Sequence, residues 1–401
     1  MNDIDIRPLP VDDDAAWQPW RDQWPIRSGT IYLNHGSFGP TPRPVRECQL
    51  NWQQRLASQP MDFFVREYEP AWLDARRRLA DFLDTAPDSL VFVENATAAM
   101  NVAASTFELQ PDQDVLLTDH EYGAVFRIWQ RVCEQTPGAT LTTARLPLSF
   151  ESAHQVVDYI FRAATQRTRL LVVSHITSPT AVILPIKLIC EEAERRGIAV
   201  CVDGPHAPGQ IPVSPDSLSC DFYAASLHKW VSAPFGSGFL YVAPEWHERV
   251  RTPSLSWGRI APATPTTWWE EFVWTGTRDS SAYLATPAAL DLLEHQVGLS
   301  AFRARTHFLA RYARQQIIEL TGLEPFIPDS EQWYGSMISL PLPPGDARSL
   351  QEQLWEQYRI EVPVVEHNGR RSVRVSCHLY NRCEDIDFLI QCLKSLLQHA
   401  C

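Results

Sequence analysis

Long hydrophobic runs are missing from this chain. No stretch of about 18 apolar residues occurs in its 401 residues, so no membrane-spanning helix is expected. The opening "MNDIDIRPLPVDDDAAW" is acidic and lacks an apolar core, so it does not read as a secretion signal. No C-x-x-C pair occurs. Nine cysteines stand at 48, 133, 190, 201, 220, 377, 383, 392 and 401, an odd number, several of them inside apolar runs. Reduced thiols in a cytosolic protein are the simplest expectation. Positive charge is in deficit: 35 basic against 48 acidic residues leave a net charge of −13, which argues against a nucleic-acid or anionic-membrane partner. Internal repeats, low-complexity tracts and the H-E-x-x-H or Cys/His spacings of metal sites are also lacking.

What is present is core material. Hydrophobic residues make up 45% of the chain, enough for two domains or one large domain with an appendage. The runs "DVLLTD" (114–119), "RLLVVSH" (169–175), "IAVCVDG" (198–204), "CDFYAAS" (220–226) and "GFLYVAP" (238–244) read as strands. Their apolar character is continuous rather than alternating, as in strands covered on both faces. Residues 69–84, 122–136 and 186–197 read as amphipathic helices between them. The pattern predicts an α/β fold with a mostly parallel sheet. From about Pro287 a long helical stretch leads to "YGSMISLPL", "RSVRVSCHLY" and a last helix, which reads as a smaller C-terminal α+β domain. The expected division is 1–44 as an N-terminal segment packing near the small domain, 45–285 as the large domain, and 286–401 as the small one.

In a parallel α/β sheet, ligands bind beyond the C-terminal strand ends. Five such ends carry polar groups here: Glu94 to Thr97; Asp119 to Tyr122; Ser174, His175, Thr177 and Ser178; Asp203 to His206; and Ser226, His228 and Lys229. Alone, each has a plainer reading, since acids cap turns and lysines usually lie in water. Together, an acid and a lysine on one rim describe a chemistry. A desolvated amine loses its charge and can attack a carbonyl. An acid on the next strand can keep a pyridine nitrogen protonated. That is a pyridoxal 5'-phosphate (PLP) site. "ENATAAMNVAAS" (94–105) opens an alanine-rich helix whose N–H groups, with the Thr97 hydroxyl, suit a phosphate.

The motifs "YLNHGSFGPTP" (32–42), "ENATAAMN" (94–101), "DHEYGA" (119–124), "VDGPHAPGQ" (202–210), "SLHKWVSAPFGSGFL" (226–240), "WTGTRDSSAYLATPAAL" (274–290) and "RVSCHLYN" (374–381) make the chain resemble the class V aminotransferase family of fold-type I PLP enzymes. The isopenicillin N epimerase-like proteins are the nearest likeness, from about residue 30 to the C-terminus. The resemblance implies that Lys229 binds the cofactor and moves the α-proton. It implies that Asp203 pairs with the ring nitrogen, that His206 contacts the ring oxygen or stacks nearby, and that Tyr122 stacks on the ring. Thr97, Ala98, Ser226 and His228 would bind phosphate, and Ser178 would complete the cofactor set. Thr277 would reach the phosphate of a neighbouring subunit, so a homodimer is expected. Arg374 would take the substrate carboxylate, with Asn34 and His35 lining the substrate side.

The reaction stays open among α-carbon chemistries of an amino acid or amino-acid-containing peptide. Epimerisation leads. C–S lysis of cysteine conjugates or sulfoxides, as in ergothioneine-type pathways, and transamination use the same groups. A cysteine desulfurase is disfavoured, because no cysteine lies between Cys220 and Arg374 to act from a mobile loop. A catalytically dead binding module would have lost Lys229, Asp203 or Arg374, and all three are present. A metal enzyme built on His35, His120, His175, His206 and His228 lacks the spacing. Trp257, Trp268, Trp269 and Trp274 are expected in a core or interface, or else along a substrate channel. Arg278 is expected either to read a distal carboxylate or to pair with an acid.

Overall fold

A computed structural model describes residues 9–147, 149–260 and 262–398. In chain order the strands are β1 (Ile31–Tyr32), β2 (Leu90–Val93), β3 (Asp114–Thr118), β4 (Thr140–Ala144), β5 (Thr168–Ser174), β6 (Ala199–Asp203), β7 (Phe222–Ser226), β8 (Gly238–Val242), β9 (Met337–Pro341), β10 (Ile360–Glu361), β11 (Val364–His367) and β12 (Arg370–Ser376). The chain divides into two compact units. One comprises the chain up to Arg43, Pro179–Ala181 and the chain from Asp291 on; the other comprises Pro44–Ser178 and Val182–Leu290.

The larger unit is built on a seven-stranded sheet of order β2-β8-β7-β6-β5-β3-β4. Strands β7, β6, β5, β3 and β4 run parallel, and β8 is antiparallel to both β7 and β2. Every residue of β2, β3, β7 and β8 is buried, which is why these runs are continuously apolar. Helix α1 (Ala96–Thr106) buries Ala99, Met100, Val102 and Ala103 on the sheet, and helix α2 (Gly123–Gln135) buries Val125, Trp129 and Cys133 at four-residue spacing. Helix α3 (Ile186–Arg195) does the same with Ile186, Ile189, Cys190 and Ala193. Because the central strands are parallel, their C-terminal ends lie on one edge, where Ser174, Asp203 and Ser226 close β5, β6 and β7.

The smaller unit holds the antiparallel sheet β11-β12-β9 and the short parallel pair β1-β10. Its N-terminal segment is tied down by Arg305, which is fully buried. The Arg305 guanidinium donates to the Val11 carbonyl (2.6 Å), the Asn381 carbonyl (3.2 Å) and the Asp14 carboxylate. The helical stretch expected as continuous after Pro287 is broken at Gly298, whose φ of +84° lies in the left-handed region; Leu299–Thr321 starts anew beyond it. Among the described residues no helix is long and apolar enough to cross a membrane, and the eight described cysteines are free thiols.

Candidate active site

Lys229 stands three residues beyond the end of β7, and Asp203 closes the neighbouring β6. The Lys229 Nζ lies 3.2 Å from His206 Nε2. The indole of Trp230 donates to the other ring nitrogen of His206 at 3.5 Å. The Asp203 side chain is 4% exposed, and among the described residues none donates a hydrogen bond to its carboxylate. Burial pushes its acid up to about 7, while the charge of Lys229 pulls the other way. A buried carboxylate without a donor suits a group that brings its own N–H and positive charge, as a protonated pyridine does. The other two lysines of the sequence, Lys187 and Lys394, are exposed on helices.

The residues expected at the phosphate lie where α1 meets β7 and β8. Asn95 caps α1 by accepting from the Ala98 N–H (2.9 Å), and the Ser226 hydroxyl accepts from the Ala96 N–H (2.9 Å). Two of the first N–H groups are thus already engaged, Ala98's among them, and exposed Thr97 is the member of this turn facing water. Strand β8 begins with Gly238 because a Cβ there would stand 2.6 Å from the Ala225 carbonyl and 2.8 Å from Asn95 Cα. His228 is held neutral, pushed down to about 4 by burial and by the Lys229 charge, against a raising bond with the Ser237 backbone; its Nδ1 is buried with no hydrogen-bond partner among the described residues. Ser178 follows β5 and is half-buried. Tyr122 precedes α2 and is 54% exposed, and Thr277 is exposed. Arg278 pairs with Glu94 and donates to the Tyr283 hydroxyl (3.1 Å), the acid partner that one of its two expected roles called for. Trp268 and Trp269 pack on the sheet core, Trp274 meets Phe64 edge-on, and Trp257 is 65% exposed.

In the smaller unit, Arg374 lies on β12, is 5% exposed, and donates to the Ser37 hydroxyl (2.7 Å) and to Asn34 Oδ1 (3.4 Å). Burial lowers its pKa to about 10. Asn34 in turn donates to Glu361 (3.1 Å), and its backbone bridges to Ser376. His35 is fully buried. It stacks on His378 with ring centroids 3.9 Å apart, and its Nδ1 is 2.9 Å from the Tyr380 hydroxyl. Its ring is thus enclosed by His378 and Tyr380 rather than presented to solvent.

The Aminotransferase class-V family profile matches residues 57–389. This chain belongs to that family. It is 38% identical to isopenicillin N epimerase of Amycolatopsis lactamdurans over 95% of this chain and 99% of that one. It is 29% identical to a putative L-cysteine desulfhydrase of rice (Oryza sativa subsp. japonica), covering 92% of this chain and 84% of the relative. In fold it superposes on the cystine C-S lyase C-DES with a TM-score of 0.82 at 22% identity, covering 93% and 99% of the two chains. The cysteine desulfurase CsdA of Escherichia coli superposes with a TM-score of 0.79 at 22% identity, covering 98% and 100%. The fold is that of fold-type I enzymes, and the cofactor is pyridoxal 5'-phosphate.

Motif reading passed over two features of this rim. The first is the lysine count: with only three lysines, one at a strand end is conspicuous in composition alone. The second is Glu121, whose carboxylate accepts from the Ser174 hydroxyl and the Thr118 hydroxyl, each at 2.6 Å. No local sequence signal joins Glu121 to Ser174, 53 residues away; the parallel order of β3, β5 and β6 does.

Proposed function

We propose that this PLP-dependent enzyme inverts configuration at the α-carbon of an amino acid, free or within a small peptide. The observation that carries the choice of reaction is the 38% identity to an isopenicillin N epimerase over nearly the whole of both chains. When bound, the cofactor withdraws electrons from the α-carbon and acidifies its hydrogen. Lys229 would hold the cofactor and take the α-proton on its own face, the new proton arriving on the other. Asp203 holds the ring nitrogen, His206 orients the lysine amine and the ring oxygen, and Ser178 completes the cofactor set. Thr97, Ser226 and His228 hold the phosphate, with Ala98 supplying the turn. Tyr122 covers the ring and is the candidate proton donor for the opposite face. Arg374, set by Asn34 and Ser37, binds the α-carboxylate. The working unit is a homodimer in which Thr277 of one copy reaches the other's phosphate. Free thiols suit a cytosolic setting.

C–S lysis is the second reading, supported by the L-cysteine desulfhydrase relatives. Sulfur transfer through an enzyme thiolate has less support. Burial pushes up the pKa of every described cysteine, and Cys377, near Arg374 in sequence, is fully buried. The test is incubation of the PLP-loaded enzyme in deuterated water with both enantiomers of a panel of amino acids, short peptides and cysteine conjugates. Chiral chromatography and a pyruvate assay follow. Interconversion with deuterium at the α-carbon and no pyruvate is expected. Pyruvate with a released thiol would make the enzyme a lyase.

A further inference from the structure

We propose that Glu121 is a positioning residue for Asp203: it keeps the proton of a carboxyl pair at the sheet edge and leaves Asp203 as the anion that faces the cofactor's ring nitrogen. This rests on the reading of Asp203 as the partner of that nitrogen and is independent of which α-carbon reaction follows.

The geometry comes from strand order. Lys229, Asp203, Ser174 and Glu121 follow β7, β6, β5 and β3, which are neighbours in that order. Ser174 is the register partner of Asp203, and its hydroxyl donates to Glu121 Oε2 at 2.6 Å. The Thr118 hydroxyl lies 2.6 Å from Oε1: it donates to the carboxylate and turns to accept when Glu121 carries the proton, so both carboxyl oxygens are fixed against the rim. Two carboxyls so placed repel when both are ionised, and they release their protons in steps that belong to the pair. The nearest cation decides which ionises first. Lys229 follows β7, across β6 from β3, and its charge acts on Asp203 to favour the anion. Burial raises the Glu121 acid most, the two hydroxyl bonds oppose it, and the charge of Asp203 raises it again, to about 7.

The other groups around this edge do not take the proton's place. His175, at the end of β5, bonds the Tyr223 hydroxyl at 2.8 Å and is held neutral by burial, down to about 4. His206 is engaged with Lys229 and Trp230. On the loop of Glu121 itself, Asp119 is bonded to His120 (2.8 Å) and to the Leu146 N–H (3.0 Å). The Cys201 thiol is held protonated.

The experiment is carbon-13 NMR of carboxyl-labelled full-length protein, with and without PLP, in the wild type, Glu121→Gln and Asp203→Asn, together with PLP affinity against pH. A Glu121 resonance titrating near neutrality in the wild type is expected, moving toward the ordinary carboxylate range in Asp203→Asn. The wild-type affinity profile should bend near pH 7, and that bend should be gone in Glu121→Gln, which keeps the shape without the titration. Glu121 titrating in the ordinary range, or a Glu121→Gln profile overlaying the wild type, overturns the proposal. Should Glu121→Gln fail to fold, Ser174→Ala serves: loss of a donor must move the Glu121 midpoint up, and an unmoved midpoint overturns it. Full PLP affinity in Asp203→Asn would instead sink the reading of Asp203 while leaving the NMR coupling intact.

Discussion

Replacing Asp203 by Asn should make the cofactor-free protein less sensitive to pH. In the folded chain burial raises this acid from an ordinary 3.8 to about 7. The folded carboxyl pair of Asp203 and Glu121 therefore holds a proton that the unfolded chain has released between those values. Stability is greatest below the unfolded pKa and falls as pH rises through the folded one. At about 1.4 kcal/mol per tenfold, the loss between pH 4 and pH 7 is at most about 4 kcal/mol. That is a large part of the ~5–15 kcal/mol that holds a typical domain folded. Asparagine has the same shape and cannot ionise, so the variant lacks this slope. It also removes the charge that raises Glu121, which flattens the curve further. Buried His175, His228 and His378, held neutral, give slopes of opposite sign, but they are common to both proteins and cancel in the difference. The assay is urea unfolding of the cofactor-free wild type and Asp203→Asn at pH 5 and pH 8. The variant should match or fall below the wild type at pH 5 and exceed it at pH 8. Added PLP should restore the wild type at pH 8 and do little for the variant. Parallel pH profiles for the two proteins would refute the reasoning.

Three further outcomes are expected. Arg374→Lys should keep PLP and raise KM for the amino acid about 10- to 100-fold, since an ammonium cannot make the paired contact of a guanidinium; loss of PLP would move Arg374 out of the substrate role. Gly238→Ala should destabilise by about 1–3 kcal/mol and weaken PLP binding, because the added carbon meets the backbone of Ala225 and Asn95; an unchanged melting temperature would contradict the packing there. Mixing inactive Lys229→Ala with Thr277→Ala subunits should recover roughly a quarter of wild-type activity, as hybrids hold one intact site, while no recovery would argue against a shared site.

The sheet was legible because its strands are buried on both faces. "LLVV" and "AVCVD" can hardly be anything else between amphipathic helices. The edge strand β4, "TLTTA", half-exposed and polar, carries no such signal, and β10 is two residues held by pairing with β1. Lys229 and Asp203 were readable as types at strand ends, and Arg374 only from its motif, since it lies within β12. Their partners were less so: Arg278 finds Glu94 across 184 residues, and Glu121 finds Ser174 only once β3 and β5 lie side by side. His35, polar and near a glycine, reads as a substrate contact from its motif. Only packing against His378 and Tyr380 shows it enclosed.

The most direct test is to locate the cofactor. Reducing the PLP-loaded enzyme with borohydride fixes the cofactor to its lysine, and peptide mass spectrometry then identifies which of three carries it. A pyridoxyl adduct on Lys229 alone is the predicted result. An adduct on Lys187 or Lys394 with Lys229 unmodified would contradict it.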